Sequence, residues 1–254
     1  MQPSYDALAS EYYDPVAHPT CYNFNRLSRI YLQRSVPEPL LNTNILEIGA
    51  GDSSAAAILH ARGYLLDGLE ITDASAVMLA YSERWVSSGC KLSIADAHSL
   101  PREDGSVALL VAGLGDAYNV PEVWREISRV IEPGGKVLFT IPSFQWAARF
   151  RLDKFGGGNP FEAEFQLRDG RVVTVPSFIL PLDEQIRMME DAGLMIVNFE
   201  SLGAEALPPI DRSSKLDVFS CDASSLVWGF KAIRQTRLFG SALHQLLKEC
   251  PVST

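Results

Sequence analysis

The stretch Asn44-Ile-Leu-Glu-Ile-Gly-Ala-Gly-Asp-Ser53 constrains this chain more than any other. It reads as a short apolar strand running straight into a glycine turn and then a helix, the strand–turn–helix unit of an α/β fold. Gly49 and Gly51 carry no Cβ and tolerate positive φ, so the backbone can turn sharply there and lie directly against a ligand. Ser53 or Ser54 is placed to cap the helix that follows through Ala61 and Arg62. Glu47 stands inside the apolar strand, where a carboxylate is costly unless something cationic or hydrogen-bonding answers it.

The chain has 254 residues, 47% of them hydrophobic and 21% charged, enough for one sizeable core and one domain. Its net charge of −9, with no basic run, argues against a nucleic-acid substrate, because phosphate contacts need clustered Lys and Arg. Cys21, Cys90, Cys221 and Cys250 lie far apart with no Cys-x-x-Cys or Cys/His spacing, so neither a metal site nor a disulfide framework is expected. The N-terminus has no basic and apolar leader pattern, and the longest apolar runs are only strand-length. These features predict a soluble cytoplasmic protein that does not enter a membrane.

From about residue 44, apolar strand-like runs alternate with amphipathic stretches, which predicts a doubly wound parallel sheet. Strands are expected at 44–49, 64–70, 91–95, 106–113 and 136–141, with helices at 53–62, 73–87 and 121–132. Pro133-Gly134-Gly135 stops the last of these helices. Residues 142–181 break the rhythm with Gly156-Gly-Gly158 and with an apparent hairpin, Phe161–Leu167 and Arg171–Pro176 around Asp169-Gly170. A helix at Leu182–Ala192 and strands at 194–201 and 225–233 follow, so the sheet is expected to finish in an antiparallel pair. Thr236–Glu249 reads as an amphipathic helix that packs on the domain or on a second subunit, leaving a homodimer open.

The order and spacing of these elements resemble a class I S-adenosylmethionine (SAM)-dependent methyltransferase of the small-molecule type, from about Tyr5 to Ile233. The family's first motif is an acid followed by Gly-x-Gly, here Glu47-Ile-Gly49-Ala-Gly51. Its second strand ends in an acid for the ribose hydroxyls, which Leu69-Glu70-Ile71 matches, with Glu70 21 residues past Gly49. An Asp beside the adenine follows its third strand, as in Ile94-Ala95-Asp96-Ala97. Trp124 to Gly135 is similar to its helix and turn before strand five, and Tyr5 to Asp14 to its lid helix, with Tyr12 or Tyr13 facing the site. Two departures stand out: Ser53 replaces the usual third glycine, and Ala108 the Asp frequent early in strand four.

The resemblance implies a Rossmann-like sheet of seven mostly parallel strands, ending in an antiparallel β-hairpin. It implies N-terminal lid helices over residues 1–43, an insertion after strand five and a helical tail at 234–254, all in one domain. It implies SAM as cofactor, S-adenosylhomocysteine as product and a small-molecule methyl acceptor as partner. The cofactor would be held by Tyr13, Glu47, Gly49, Ala50, Gly51, Glu70, Ile71, Asp96, Ala97 and Gly113. A dinucleotide oxidoreductase is the rival, but residues 49–54 read Gly-Ala-Gly-Asp-Ser-Ser and lack its final glycine.

Methyl transfer is an in-line displacement that depends on alignment, with a general base of use when the acceptor is a hydroxyl or an ammonium. The polar loop Gly113-Leu-Gly-Asp-Ala-Tyr-Asn119 lies at the carboxyl end of a central strand, where open α/β sheets bind ligands. Asp116 is its candidate base, with Tyr118 and Asn119 able to hydrogen-bond an acceptor; alternatively Asp116 caps the helix near Pro121. His18, in the lid region, titrates near neutrality and is a second candidate. Phe144, Trp146, Phe150, Phe155, Phe161, Phe165 and Phe178 either line an apolar acceptor pocket or form the insertion's own core. Transfer to an oxygen or nitrogen of a small apolar or aromatic molecule is therefore expected. A SAM-binding sensor or partner subunit without transfer stands as the alternative.

Overall fold

The computed structural model describes residues 5–38, 43–152, 161–217 and 225–235. Gly156–Gly158, Phe155 and the expected helix at Thr236–Glu249 lie outside the described residues.

Two helices, α1 (Tyr5–Tyr12) and α2 (Pro19–Ser35), precede the sheet. Strand β1 (Ile45–Glu47) leads to α3 (Ser54–Ala61), and β2 (Leu69–Asp73) to α4 (Ala76–Leu79), which runs on as a tighter 3-10 helix over Ala80–Ser88. Then come β3 (Lys91–Ile94), β4 (Val107–Ala112), α5 (Pro121–Val130), β5 (Ile131–Pro142) and α6 (Phe144–Ala147). The insertion hairpin β6 (Glu162–Gln166) and β7 (Val172–Pro176) forms its own two-stranded sheet. Helix α7 (Leu182–Asp191), β8 (Leu194–Leu202) and β9 (Val227–Arg234) complete the main fold.

The seven strands of the main sheet stand in the order β3-β2-β1-β4-β5-β9-β8. The first five are parallel, and β9 runs antiparallel to both neighbours. Residue alternation sorts the strands onto two cores, as period two requires. Ile45, Leu109, Val111 and Leu138 face α2 and α3, while Leu46, Leu110, Val137 and Phe139 face α5 and α7. On α5 the buried residues are Val123, Trp124, Ile127 and Val130, one stripe of a helix that Pro121 starts without losing a bonded N–H.

Three boundaries differ from the sequence reading. Strand two is Leu69–Asp73, not 64–70, because Ile45 pairs with Leu69 and the parallel ladder runs on until Asp73 meets Ile94. The helix before strand five ends at Val130, and the strand starts at Ile131, bulging through the Pro133-Gly134-Gly135 turn before it pairs regularly from Lys136. Within 73–87 only four residues are α-helical. A third small core joins Leu8 of α1 to Leu167 and Val175 of the hairpin, so the N-terminal helix and the insertion close on each other. Arg168 beyond β6 reaches Asp14 at 2.6 Å, and its backbone N–H donates to Glu11.

Candidate functional site

The strand order reverses between β1 and β4, and a crevice opens beyond their carboxyl ends, the place where open α/β sheets take ligands. The turn after β1 is held on both sides: the Ile48 N–H donates to the Val111 carbonyl and the Ala50 N–H to the Thr72 carbonyl, each at 3.0 Å. Gly49 and Gly51 have φ of +57° and +50°. A Cβ on Gly49 would stand 2.5 Å from the Tyr118 ring, and one on Gly51 would run into the Tyr13 hydroxyl. Ser53, in place of the usual glycine, also has positive φ, at 58°. Its buried hydroxyl accepts from the Ala56 N–H at 3.0 Å and donates to Glu47, so the strained residue caps α3 and fixes the acid at once.

Glu47 is buried and lines the crevice. The Ala55 N–H donates to its Oε1 at 2.9 Å. Burial pushes its carboxyl up to about 7, against the pull of the Ser53 and Ala55 hydrogen bonds. The chain's own donors therefore answer only part of the demand that this acid makes.

The acid of strand two is where the structure departs most from the sequence reading. Glu70 does not face the crevice: it pairs with Arg102 and accepts from the Ser93 hydroxyl at 2.6 Å, over the neighbouring strand. Ile71 is fully buried in the core and does not line the crevice either. Asp73 ends the strand, three residues and so about 10 Å further on. Its Oδ2 accepts from the Gly51 N–H at 3.0 Å and its Oδ1 from the Ser75 N–H at 2.9 Å, and it lines the crevice. Burial raises its carboxyl above the usual range. The signal for it was present: Ser75 caps α4 by accepting from the Met78 N–H at 3.0 Å, so an acid two residues before a cap marks the strand's end.

Ala50, Asp96, Ala97, Gly113 and Tyr13 line the same crevice, as expected. Asp96 accepts from the His98 N–H at 2.9 Å, which holds its carboxyl below the usual range. The Tyr13 hydroxyl accepts from the Asp52 N–H at 3.0 Å, laying the end of the N-terminal helix across the glycine turn. Tyr118 also lines it and donates its hydroxyl to the Ile48 carbonyl at 3.0 Å.

The loop after β4 divides its residues between two spaces. Gly113, Ala117 and Tyr118 border the crevice, a cavity of about 230 Å³, while Asp116 borders a larger neighbour of about 720 Å³. Tyr5, Tyr12 and Leu114 form walls of both. Asp116 does not cap α5, whose N-cap is Val120 without a side-chain bond; it accepts from the Ser177 hydroxyl. Asn119 faces neither space. Its amide receives the Trp124 indole N–H at 2.8 Å and donates to the Phe178 carbonyl at 2.8 Å and to Gln185 at 2.7 Å, pinning the insertion to α5 and α7. His18 borders the larger cavity, its ring edge on Phe165 and its Nε2 3.7 Å from Glu11. Trp146, Phe150 and Phe165 also border it, whereas Phe161 stacks on Phe178 and Phe144 packs into the main core.

A methyltransferase domain model matches residues 46–139, the span from β1 through most of β5. The ubiquinone/menaquinone biosynthesis C-methyltransferase of Rubrivivax gelatinosus is 26% identical over 157 residues, 59% of this chain and 60% of that protein. Among solved structures, a Haloferax volcanii protein in complex with a methyltransferase activator superposes with a TM-score of 0.65 at 14% identity, over 92% of this chain and 97% of that one. By this domain and by its fold, the chain resembles the class I SAM-dependent methyltransferases. A third relative by fold is the geranyl diphosphate C-methyltransferase of Streptomyces coelicolor, with S-adenosylhomocysteine bound. Its TM-score is 0.57 at 15% identity, over 82% of this chain and 78% of that one. The chain spans between 20% and 60% of the length of the curated relatives it matches.

The residues that line the crevice fit SAM, the cofactor that the resemblance implies. Gly49, Ala50 and Gly113 line the crevice, whereas Gly51, expected to hold the cofactor, does not and stands under the Tyr13 hydroxyl; carboxylates at Asp73 and Asp96 offer acceptors to hydroxyl and amino groups, and Glu47 offers a third.

Proposed function

We propose that this protein methylates an oxygen or nitrogen of a small, apolar or aromatic molecule held in the larger cavity. The observation that carries the reading is the shared wall of Tyr5, Tyr12 and Leu114, which sets the acceptor space directly beside the cofactor crevice. Bound SAM supplies a methyl group on a sulfonium. Asp73 would take its ribose hydroxyls and Asp96 its adenine amino group, with Glu47, Gly49, Ala50 and Gly113 lining the rest of the crevice. Tyr13 closes the crevice from the lid side.

The acceptor lies among Trp146, Phe150 and Phe165, whose surfaces exclude water. Asp116 is the first candidate to receive the acceptor's proton and His18 the second, since both border the acceptor space. Tyr118 supports the cofactor face by its ring, its hydroxyl being engaged with the Ile48 carbonyl. Transfer to carbon is a second reading, favoured by the C-methyltransferase names of three of the relatives, those for a sterol, for ubiquinone/menaquinone biosynthesis and for geranyl diphosphate.

Incubating the protein with methyl-labelled SAM and a panel of amines, phenols and isoprenoid alcohols tests this. A product with the label on nitrogen or oxygen is expected. A label on carbon would establish the second reading, and SAM binding with no product from any acceptor would establish a non-catalytic SAM-binding protein.

A further inference from the structure

We infer that the larger cavity selects an amine, a basic nitrogen on an apolar or aromatic body, over a carboxylate or phosphate, and that Asp116 sets this preference. The inference rests on reading that cavity as the acceptor site.

Two aromatic walls face the space. Phe24, Trp146 and Phe150 form one, with ring centroids 5.0 Å apart for Phe24–Trp146 and 4.1 Å for Trp146–Phe150. Tyr12 and Phe165, from the lid helix and the insertion hairpin, form the other. The π-faces of such rings carry negative charge and attract a cation. The formal charges have the same sign: Asp116 borders the cavity, as do Glu162 and Glu164, both exposed and so at its rim. No Lys or Arg is among the described residues that border it. His18 does border it, but with the Glu11 carboxylate 3.7 Å from its ring. On the hairpin, Arg168 is held by Asp14 at 2.6 Å and Arg171 by Asp169 at 2.7 Å.

An anion entering this space would lose hydration and meet carboxylates and ring faces with only neutral hydroxyl and amide donors and His18 to answer it, whereas an ammonium would meet Asp116 and the ring faces. Asp116 is the inner carboxylate. Its loop neighbours Gly113, Ala117 and Tyr118 border the cofactor crevice, so a nitrogen beside Asp116 adjoins the cofactor. The Ser177 hydroxyl, from the insertion, holds the carboxylate in place.

The test uses the full chain saturated with S-adenosylhomocysteine and three matched probes, tryptamine, tryptophol and indole-3-propionate, titrated by calorimetry. Tryptamine is expected to bind at least about tenfold tighter than either of the others, the effect of a single charge-assisted contact. In Asp116→Asn, which keeps its S-adenosylhomocysteine affinity, tryptamine is expected to fall to the affinity of tryptophol. Equal binding of the three, tighter binding of the propionate, or no binding of any at millimolar concentration would overturn the inference. So would an amine preference that survives Asp116→Asn. The ranking on the unaltered protein stands whether or not the variant folds. Failure of S-adenosylhomocysteine itself to bind would instead count against the cofactor crevice, a separate result.

Discussion

The Gly51 N–H donates to the Asp73 carboxylate at 3.0 Å, so the glycine turn after the first strand and the acid that ends the second are tied together within the chain. The same carboxylate receives the Ser75 N–H and borders the crevice. Asp73→Ala is therefore expected to weaken SAM by about 1–3 kcal/mol, the range for losing a buried hydrogen-bonding partner. Glu70→Ala is expected to leave SAM affinity unchanged and to lower the melting temperature, because it removes the partner of Arg102. Calorimetric titration of both variants with SAM distinguishes the two acids, and a loss in Glu70→Ala alone would return the ribose role to Glu70.

Gly51 and Gly63 both have positive φ but different surroundings. A Cβ on Gly51 would collide with the Tyr13 hydroxyl, whereas nothing lies within 4 Å of one on Gly63. Gly63→Ala should show backbone strain alone, about 1–2 kcal/mol of stability, with unchanged SAM binding. Gly51→Ala should add the displacement of Tyr13 and lose SAM binding well beyond its loss of stability. Chemical denaturation and calorimetry on the two variants read the two effects separately.

What was legible in the chain is what local pattern encodes. Strand–helix alternation, the glycine turn and the Asp169-Gly170 hairpin each depend on residues close in sequence; the turn and the hairpin stand where the pattern put them, and the alternation holds in order though not at every boundary. The acid at the end of strand two is not legible locally because Glu70 and Asp73 both lie in one apolar run, and only pairing with β1 and β3 shows where that run ends. Asp116 and Asn119 look alike as polar loop residues. Their partners, Ser177 for one and Phe178 and Gln185 for the other, lie some sixty residues away across the insertion. No local rule sorts the acid facing the cavity from the amide that bolts the insertion down.

Glu47 carries a pH signature. Its carboxyl stands near 7 in the fold against 4.5 for a free glutamate, so the folded state holds a proton that the unfolded chain releases earlier. Its contribution to stability is thus fully present below about pH 4.5 and falls away as pH rises towards 7, by up to about 3 kcal/mol. Glu47→Gln removes this titration. The difference in unfolding free energy between the two proteins is expected to change between pH 4.5 and 7 and to be flat above that. A difference that does not vary with pH would mean that the Ser53 and Ala55 hydrogen bonds hold Glu47 ionised throughout.

Asp116 and Asn119, three residues apart, should fail in opposite ways. Asn119 is buried and satisfies the Trp124 indole and Gln185, so Asn119→Ala leaves polar groups without partners in the core and is expected to destabilise the fold by about 2–3 kcal/mol. Any loss of turnover should follow the fraction unfolded. Asp116 is half-buried beside the acceptor cavity and caps no helix, so Asp116→Ala should change stability little while lowering kcat by about 10²–10⁴-fold if it receives the acceptor's proton. Turnover compared with the unfolding midpoint at one temperature separates the roles. A kcat loss in Asp116→Ala matched by an equal loss of stability would make Asp116 a clamp on Ser177 and leave His18 as the remaining base.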